Sequence, residues 1–200
     1  YPINDEINVI FFTFISFGLL GLYDDIIKFF ELDRQSGYTG LKTGYKFLIQ
    51  AILGLVVGIM LYVNLGIDII HIPFLGVIHF GAWFIPLSAL LVVGFSNSLN
   101  ITDGMDGLAS GLLMISLFGL LILSTSVLDT PLSLFIASWL GGIIAFLYFN
   151  VYPARVWLGD AGAMSFGATL GLIGLLTGNV VALCVIGGIF IVEVISSAVQ

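Results

Sequence analysis

The sequence predicts an all-α protein: a polytopic membrane bundle of about seven helices. Three observations predict it. Of 200 residues, 60% are hydrophobic and only 8% charged, with a mean hydropathy of +1.19. Charge-free runs of bilayer length recur along the whole chain. The few charges sit where those runs end. A soluble domain carries charge on roughly a quarter of its residues, so the solvent expected for this surface is lipid.

A hydrocarbon core of about 30 Å takes about 20 apolar residues in a helix. Runs 7–23, 47–67, 82–102, 107–128 and 130–154 meet that length. The stretch 161–192 is too long for one span, reaching about 48 Å at helical rise. Thr177-Gly178-Asn179 supplies turn residues inside it, so it divides into spans 161–177 and 180–200. Between the second and third runs, Ile69 to Pro73 and Val77 to Phe80 alternate around Gly76 and predict a short hairpin. His71 and His79 lie there, without the cysteine or carboxylate cluster that would complete a metal-ligand set.

Threading the spans puts 24–46, 103–106, 151–160 and the far end of the last span on one side. The N-terminal flank, 68–81, the turn near Asp129 and 177–179 fall on the other. Every basic residue (Lys28, Arg34, Lys42, Lys46 and Arg155) belongs to the first group. By the positive-inside rule that side is cytoplasmic. The net charge of −7 argues against a nucleic-acid partner, which needs clustered Lys and Arg. Cys184, the lone cysteine, reads as a packing residue. Tyr1 and Gln200 read as cut ends, so the expectation is one transmembrane domain over 1–200, the middle of a larger membrane enzyme.

The acidic residues carry the chemistry. Asp24-Asp25, Asp103, Asp106 and Asp160 all fall at cytoplasmic span ends, and carboxylates at membrane depth are kept mainly where they line a site. Asp24 and Lys28, at i and i+4, share a helical face. They bind a metal-phosphate pair together or simply neutralise each other. In the run Asn97 to Gly107, Asn97, Asn100, Asp103 and Asp106 recur every three residues. Gly104 and Gly107 there allow close backbone approach to a ligand. Such oxygen donors suit a hard divalent cation, magnesium above all. The run resembles a calcium loop only in part, because the closing glutamate is missing. In the third segment, Asn150 to Gly162, Pro153 ends one helix and Gly159-Asp160 opens the next. Trp157 there stacks on a planar base or anchors at the membrane boundary.

In this order and with these spans between them, the three segments resemble the polyprenyl-phosphate N-acetylhexosamine-1-phosphate transferases, and within them the muramoyl-pentapeptide branch. Gly187-Gly188, Glu193, Ser196 and Gln200 in the last span also fit that branch. The resemblance implies transfer of phospho-MurNAc-pentapeptide from UDP to undecaprenyl phosphate, with Mg2+, at the cytoplasmic face of a bacterial inner membrane. It implies catalytic roles for Asp24, Asp25, Asn100, Asp103 and Asp106, and magnesium ligation by Asp160. Lys28, Asn97, Gly104, Met105, Asp106, Asn150 and Trp157 are implied to contact the UDP-sugar substrate. Trp157, Leu158 and Ala163 depart from the family's usual Phe, Met and Ser. Two spans before Tyr1 and a histidine-rich loop after Gln200 are expected in such an enzyme, so this piece is not expected to turn over alone. A homodimer stays open. The rival readings are a UDP-GlcNAc-dependent transferase of the same superfamily, a secondary transporter and a non-catalytic membrane scaffold.

Overall fold

The structure, a computed structural model, describes residues 3–30, 40–72, 76–126 and 130–199. The expectations that fall on Arg34, Pro73, Asp129 and Gln200 lie outside those residues. The described chain is helical except for one hairpin. In order it runs α1 (Ile3–Phe30), α2 (Thr43–Ile59), β1 (Ile69–Ile72), β2 (Gly76–His79), α3 (Phe84–Thr102) and α4 (Leu108–Ser126). It continues with α5 (Thr130–Asn150), α6 (Gly159–Leu176), α7 (Val180–Ile186) and α8 (Gly188–Val199). A π-helical turn, Met60–Asn64, extends α2, and a 3-10 turn, Gly81–Trp83, precedes α3.

Six of these helices are long and apolar enough to cross a membrane: α1, α2 with its extension, α3, α4, α5 and α6. The span expected at 180–200 is instead broken between α7 and α8. The cause is local. Gly187 and Gly188 are poor helix formers, and the Phe95 ring fills the space beside Gly187, where a Cβ would come within 2.6 Å of Cε1. The first span also runs longer than expected, since α1 continues past Asp24, Asp25 and Lys28 to Phe30. α5 ends at Asn150, three residues before Pro153.

α6 lies at the centre. Its most extensive contacts are with α1 and α3, and α2 packs on α3. Lipid offers no hydrophobic contrast between one apolar helix and another, so helices in it associate through close packing of small residues and hydrogen bonds. Gly167 of α6 sits on the α3 backbone, where a Cβ would lie 2.8 Å from Ser96 Cα. Buried hydroxyls back-bond to their own helices, as from Thr169 to the Ser165 carbonyl at 2.8 Å and from Ser88 to Phe84 at 2.7 Å. The Ser98 hydroxyl crosses instead to the Phe190 carbonyl and ties α3 to α8.

The bundle has two distinct ends, and they separate the loops as the alternation of spans predicts. At one end β1 and β2 pair antiparallel, Ile69 opposite His79 and Ile72 opposite Gly76. The His71 amide donates to the Gly178 carbonyl at 2.9 Å, joining the hairpin to the Thr177–Asn179 turn. His79 Nδ1 lies 3.4 Å from Asp68 there. At the other end meet the C-termini of α1, α3 and α5 and the N-termini of α2, α4 and α6. All the described acidic segments of the sequence analysis lie at this second end.

Candidate active site

The N-terminus of α6 organises the site. Its first N–H groups have no partners within the helix, and Asp25 of α1 supplies them. Asp25 accepts from the Asp160 amide at 3.3 Å and the Ala161 amide at 3.0 Å. A carboxylate also complements the positive end of the helix dipole. Gly159 turns the chain into α6 at φ +66°, and a Cβ there would press within 3.0 Å of Asp25. Asp103, just beyond the end of α3, accepts a hydrogen bond from the Gly159 backbone. Gly21 lets α1 rest directly on α6, since a Cβ would fall 2.5 Å from the Asp160 carbonyl carbon.

Beside this cap, Asp24 and Asp160 share the ammonium groups of Lys28 and Lys46. Lys28 Nζ lies 3.0 Å from Asp24 and 2.8 Å from Asp160. Lys46 Nζ lies 3.0 Å from Asp24 and 2.6 Å from Asp160. Asp24 is buried, and its second oxygen accepts from the Leu41 amide at 2.7 Å. Three helices, α1, α2 and α6, thus close one ring of alternating charge. The Asp24–Lys28 pairing follows from i,i+4 spacing alone. Lys46 was not among the residues the sequence marked for the site. Its signal there was a cation at the edge of the 47–67 run, on the side that carries every other basic residue.

The Asn100 side chain faces Asp160 from α3. Asp103 stands apart from the ring: among the described residues no ammonium pairs with it. Burial, with Asp160 and Asp25 nearby, pushes its carboxyl up to about 6 against a partial opposing pull from the Gly159 hydrogen bond.

A second cluster lies alongside, where the turn after α3 meets the turn after α5. Asp106 accepts from the Ala154 amide at 2.9 Å and from Trp157 Nε1 at 3.3 Å. Asn150 accepts from the Gly107 amide at 3.2 Å and the Ser110 hydroxyl at 2.6 Å, and donates to the Val156 carbonyl at 2.9 Å. These bonds staple the two turns together. Met105, Asp106 and Gly107 with Leu147 and Tyr152 border an open groove of about 810 Å³. The outer faces of Trp157 and Met105 remain exposed, and a Cβ at Gly104 would make only ordinary contact, 3.7 Å from the Ile101 carbonyl oxygen.

Of the residues the sequence singled out, Asp24, Asp25, Lys28, Asn100, Asp103 and Asp160 converge on the α6 N-terminus. Asp106, Asn150 and Trp157 converge on the neighbouring staple with Gly104 and Met105 at its edge. Asn97 does not join either group. It lies a turn deeper in α3 and donates to Gln50 of α2 at 2.8 Å and to its own Val93 carbonyl at 2.9 Å. Among the described residues, no three His, Cys, Asp or Glu side chains form a preset metal cage. One oxygen each of Asp24 and Asp160, the Oδ2, is engaged by ammonium instead.

Comparison with known proteins bears on this arrangement. The chain is 35% identical to the phospho-N-acetylmuramoyl-pentapeptide-transferase of Thermodesulfovibrio yellowstonii, over 98% of this chain and 59% of that protein. It is 37% identical to the one of Chloroflexus aggregans, over 93% of this chain and 52% of that protein. With that of Clostridium perfringens the identity is 32%, over 98% and 61%. The chain therefore spans about half to three-fifths of the length of these curated relatives. The family profile described as glycosyl transferase family 4 matches residues 7–178, from the second turn of α1 to the turn after α6. That stretch contains both clusters and the helices that bring them together, and the chain belongs to glycosyl transferase family 4.

Proposed function

We propose that this chain is the core of a phosphoglycosyl transferase that moves phospho-MurNAc-pentapeptide from UDP to undecaprenyl phosphate and releases UMP. One observation carries the proposal: three helices bring Lys28 and Lys46 against Asp24 and Asp160 at one end of a membrane bundle, with Asp103 and Asn100 beside them. Paired ammonium groups beside hard oxygen donors suit a nucleotide diphosphate and a divalent cation. The relatives' being phospho-N-acetylmuramoyl-pentapeptide-transferases supports the muramoyl branch over UDP-GlcNAc. Carboxylates gathered at one end of the bundle, not at its midplane, argue against a secondary transporter. The basic residues around the site support a cytoplasmic orientation, and the bacterial relatives support an inner-membrane setting.

Magnesium fits these residues. Burial, with Asp160 and Asp25 nearby, pushes the Asp103 carboxyl up to about 6, and with Asp160 and the Asn100 amide it offers hard oxygens of the kind magnesium takes. Asp160 and Asp103, with the Asn100 amide, would hold the ion, and bound there it supplies charge neutralisation at the diphosphate. The other residues do the rest. Lys28 and Lys46 are already directed at the ring, so a phosphate oxygen can take the place of one carboxylate contact without reorganising the helices. Asp25 keeps the α6 N-terminus in position. The lipid phosphate has a second pKa near 6 and needs no strong base at neutral pH. Both Asp24 oxygens are engaged, one by the lysines and one by the Leu41 amide. This supports Asp24 as the residue that aims the two lysines, and not as a covalent nucleophile. Trp157, held edge-on by Asp106, offers a face for the uracil beside the open groove.

The test is UMP release by the full-length protein in nanodiscs containing undecaprenyl phosphate. Turnover with UDP-MurNAc-pentapeptide, dependent on magnesium and not supported by UDP-GlcNAc, is expected. Turnover with UDP-GlcNAc alone would overturn the substrate, and turnover with neither would overturn the enzyme.

A further inference from the structure

We infer that Gln50 is a positioning residue, whose hydrogen bond to Asn97 sets the rotation of α2 and thereby aims Lys46 at Asp24 and Asp160; the catalytic part of this inference rests on the function proposed above. Gln50 is fully buried, one helical turn from Lys46 on the same face of α2. Its Oε1 accepts from Asn97 Nδ2 of α3 at 2.8 Å, and its Nε2 lies 3.9 Å from the Met164 sulfur of α6. The same amide therefore touches both helices on which α2 must register.

The rest of that face cannot do this work. Beyond Gln50 the buried residues of α2 are Gly54, Val57 and Gly58. Gly54 lies close to Ala89 and Val93, and Gly58 to the Ile85 backbone, where a Cβ would come within 2.6 Å of the carbonyl. Glycine surfaces bring helices close, but they supply no directional bond. An amide buried at membrane depth is different, because leaving it unpaired is costly and its partner has one direction. Lys46 in turn has a demanding target. Its Nζ bridges carboxylates from two helices, and its side chain is only 15% exposed. A rotation of α2 moves the lysine root sideways and loses one of the two contacts.

The experiment uses the full-length protein without substrate or metal, in detergent. Acetylation of Lys46 by acetic anhydride is followed by mass spectrometry, with the exposed Lys42, outside the ring, as internal reference. Gln50→Met keeps the volume and removes the hydrogen bond. It is expected to raise Lys46 labelling about tenfold, the factor that loss of one net buried hydrogen bond supports, and to leave the exposed Lys42 within about twofold of the parent. Asn97→Leu removes the same bond from α3 and is expected to raise Lys46 labelling likewise, which keeps the test open if Gln50→Met folds poorly. Unchanged Lys46 labelling in both variants would overturn the inference. Turnover adds a readout that packing alone would not give. Gln50→Met should lower kcat at unchanged KM for the UDP substrate, and should add nothing in a Lys46→Met background. Additive losses would overturn positioning through Lys46. Raised Lys46 labelling with unchanged turnover would uphold the positioning and overturn the catalytic reading of the site.

Discussion

α6 and α5 are neighbours in sequence and opposites in setting. The spanning window of α6 has a mean hydropathy of 1.3 and is 67% buried, whereas that of α5 has a mean hydropathy of 2.0 and is 17% buried. The less hydropathic helix is thus the one inside. In water the order would be reversed. In lipid the outside is as apolar as the inside, so what selects a central helix is how closely its backbone can be approached and whether its polar groups find partners. α6 meets both conditions, with Gly21 and Gly167 at its two main contacts and Asp25 capping its first turn. The helix that holds the bundle together is also the helix whose N-terminus forms the site.

The largest effects should come from closing the α1–α6 approach. Gly21→Val puts a branched side chain into the Asp160 backbone. Overpacking of this kind typically costs about 1–3 kcal/mol, and at a backbone contact with no room to yield the upper end or beyond is expected. Loss of the folded bundle, measured by thermal unfolding in detergent, would bear this out. A midpoint unchanged from the parent would break the comparison.

Next comes the charge ring. Asp160→Asn leaves the α6 cap in place, because the backbone amide and not the side chain meets Asp25. It removes the carboxylate that Lys28 and Lys46 share. Turnover of the full-length enzyme should fall about 10²–10³-fold, the range for one electrostatic group at a developing charge, while the protein stays folded.

Asp103 sharpens the contrast between stability and function. Its carboxyl sits above its ordinary value in the folded protein, at about 6 against 3.8. Between those values the native state holds a proton that the unfolded chain has released. Its contribution to stability is therefore full below 3.8 and is lost as the pH rises through 6. Asp103→Asn should remove that loss and raise the unfolding midpoint of metal-free protein at pH 7.5, by an amount near 1 kcal/mol once solvent screening is allowed for. Turnover should fall in the same variant. A midpoint below that of the parent at pH 7.5 would contradict the assigned electrostatics.

The smallest effects belong to α5 and to the staple edge. Gly141→Ala and Gly142→Ala face open space, so each should change stability by no more than about 0.5 kcal/mol. Trp157→Phe loses one hydrogen bond to Asp106 and keeps a stacking face. Its KM for the UDP substrate should rise by a factor of about 3–10, in line with one exposed hydrogen bond. A large loss from either glycine variant would mean that α5 is held by more than α4, lipid and the stack of Trp139 on Phe166 of α6.

Much of this was legible from residue order. Run length and charge placement predicted the second to sixth spans within a few residues, the first except for its extension to Phe30, the hairpin, the turn at Thr177–Asn179 and the grouping of loops at two ends. They did so because span length is set by bilayer thickness and charges are confined to span ends, both of which are written along a single coordinate. The convergence of Asp24, Asp25, Asp103 and Asp160 followed from that same coordinate, since successive spans of one bilayer return alternate ends to one face.

What tertiary structure alone decided lies across the helices. It made α6 central, paired Lys46 with Asp24 and Asp160, drew Asn97 away to Gln50, divided Asp106 from the other aspartates and broke the last span at Gly187. Periodicity reports an apolar face only where the opposite face meets water. When lipid surrounds the bundle that contrast is absent, so which helix faces which is settled by close backbone contact and by paired polar groups, neither of which leaves a pattern in a single strand of sequence.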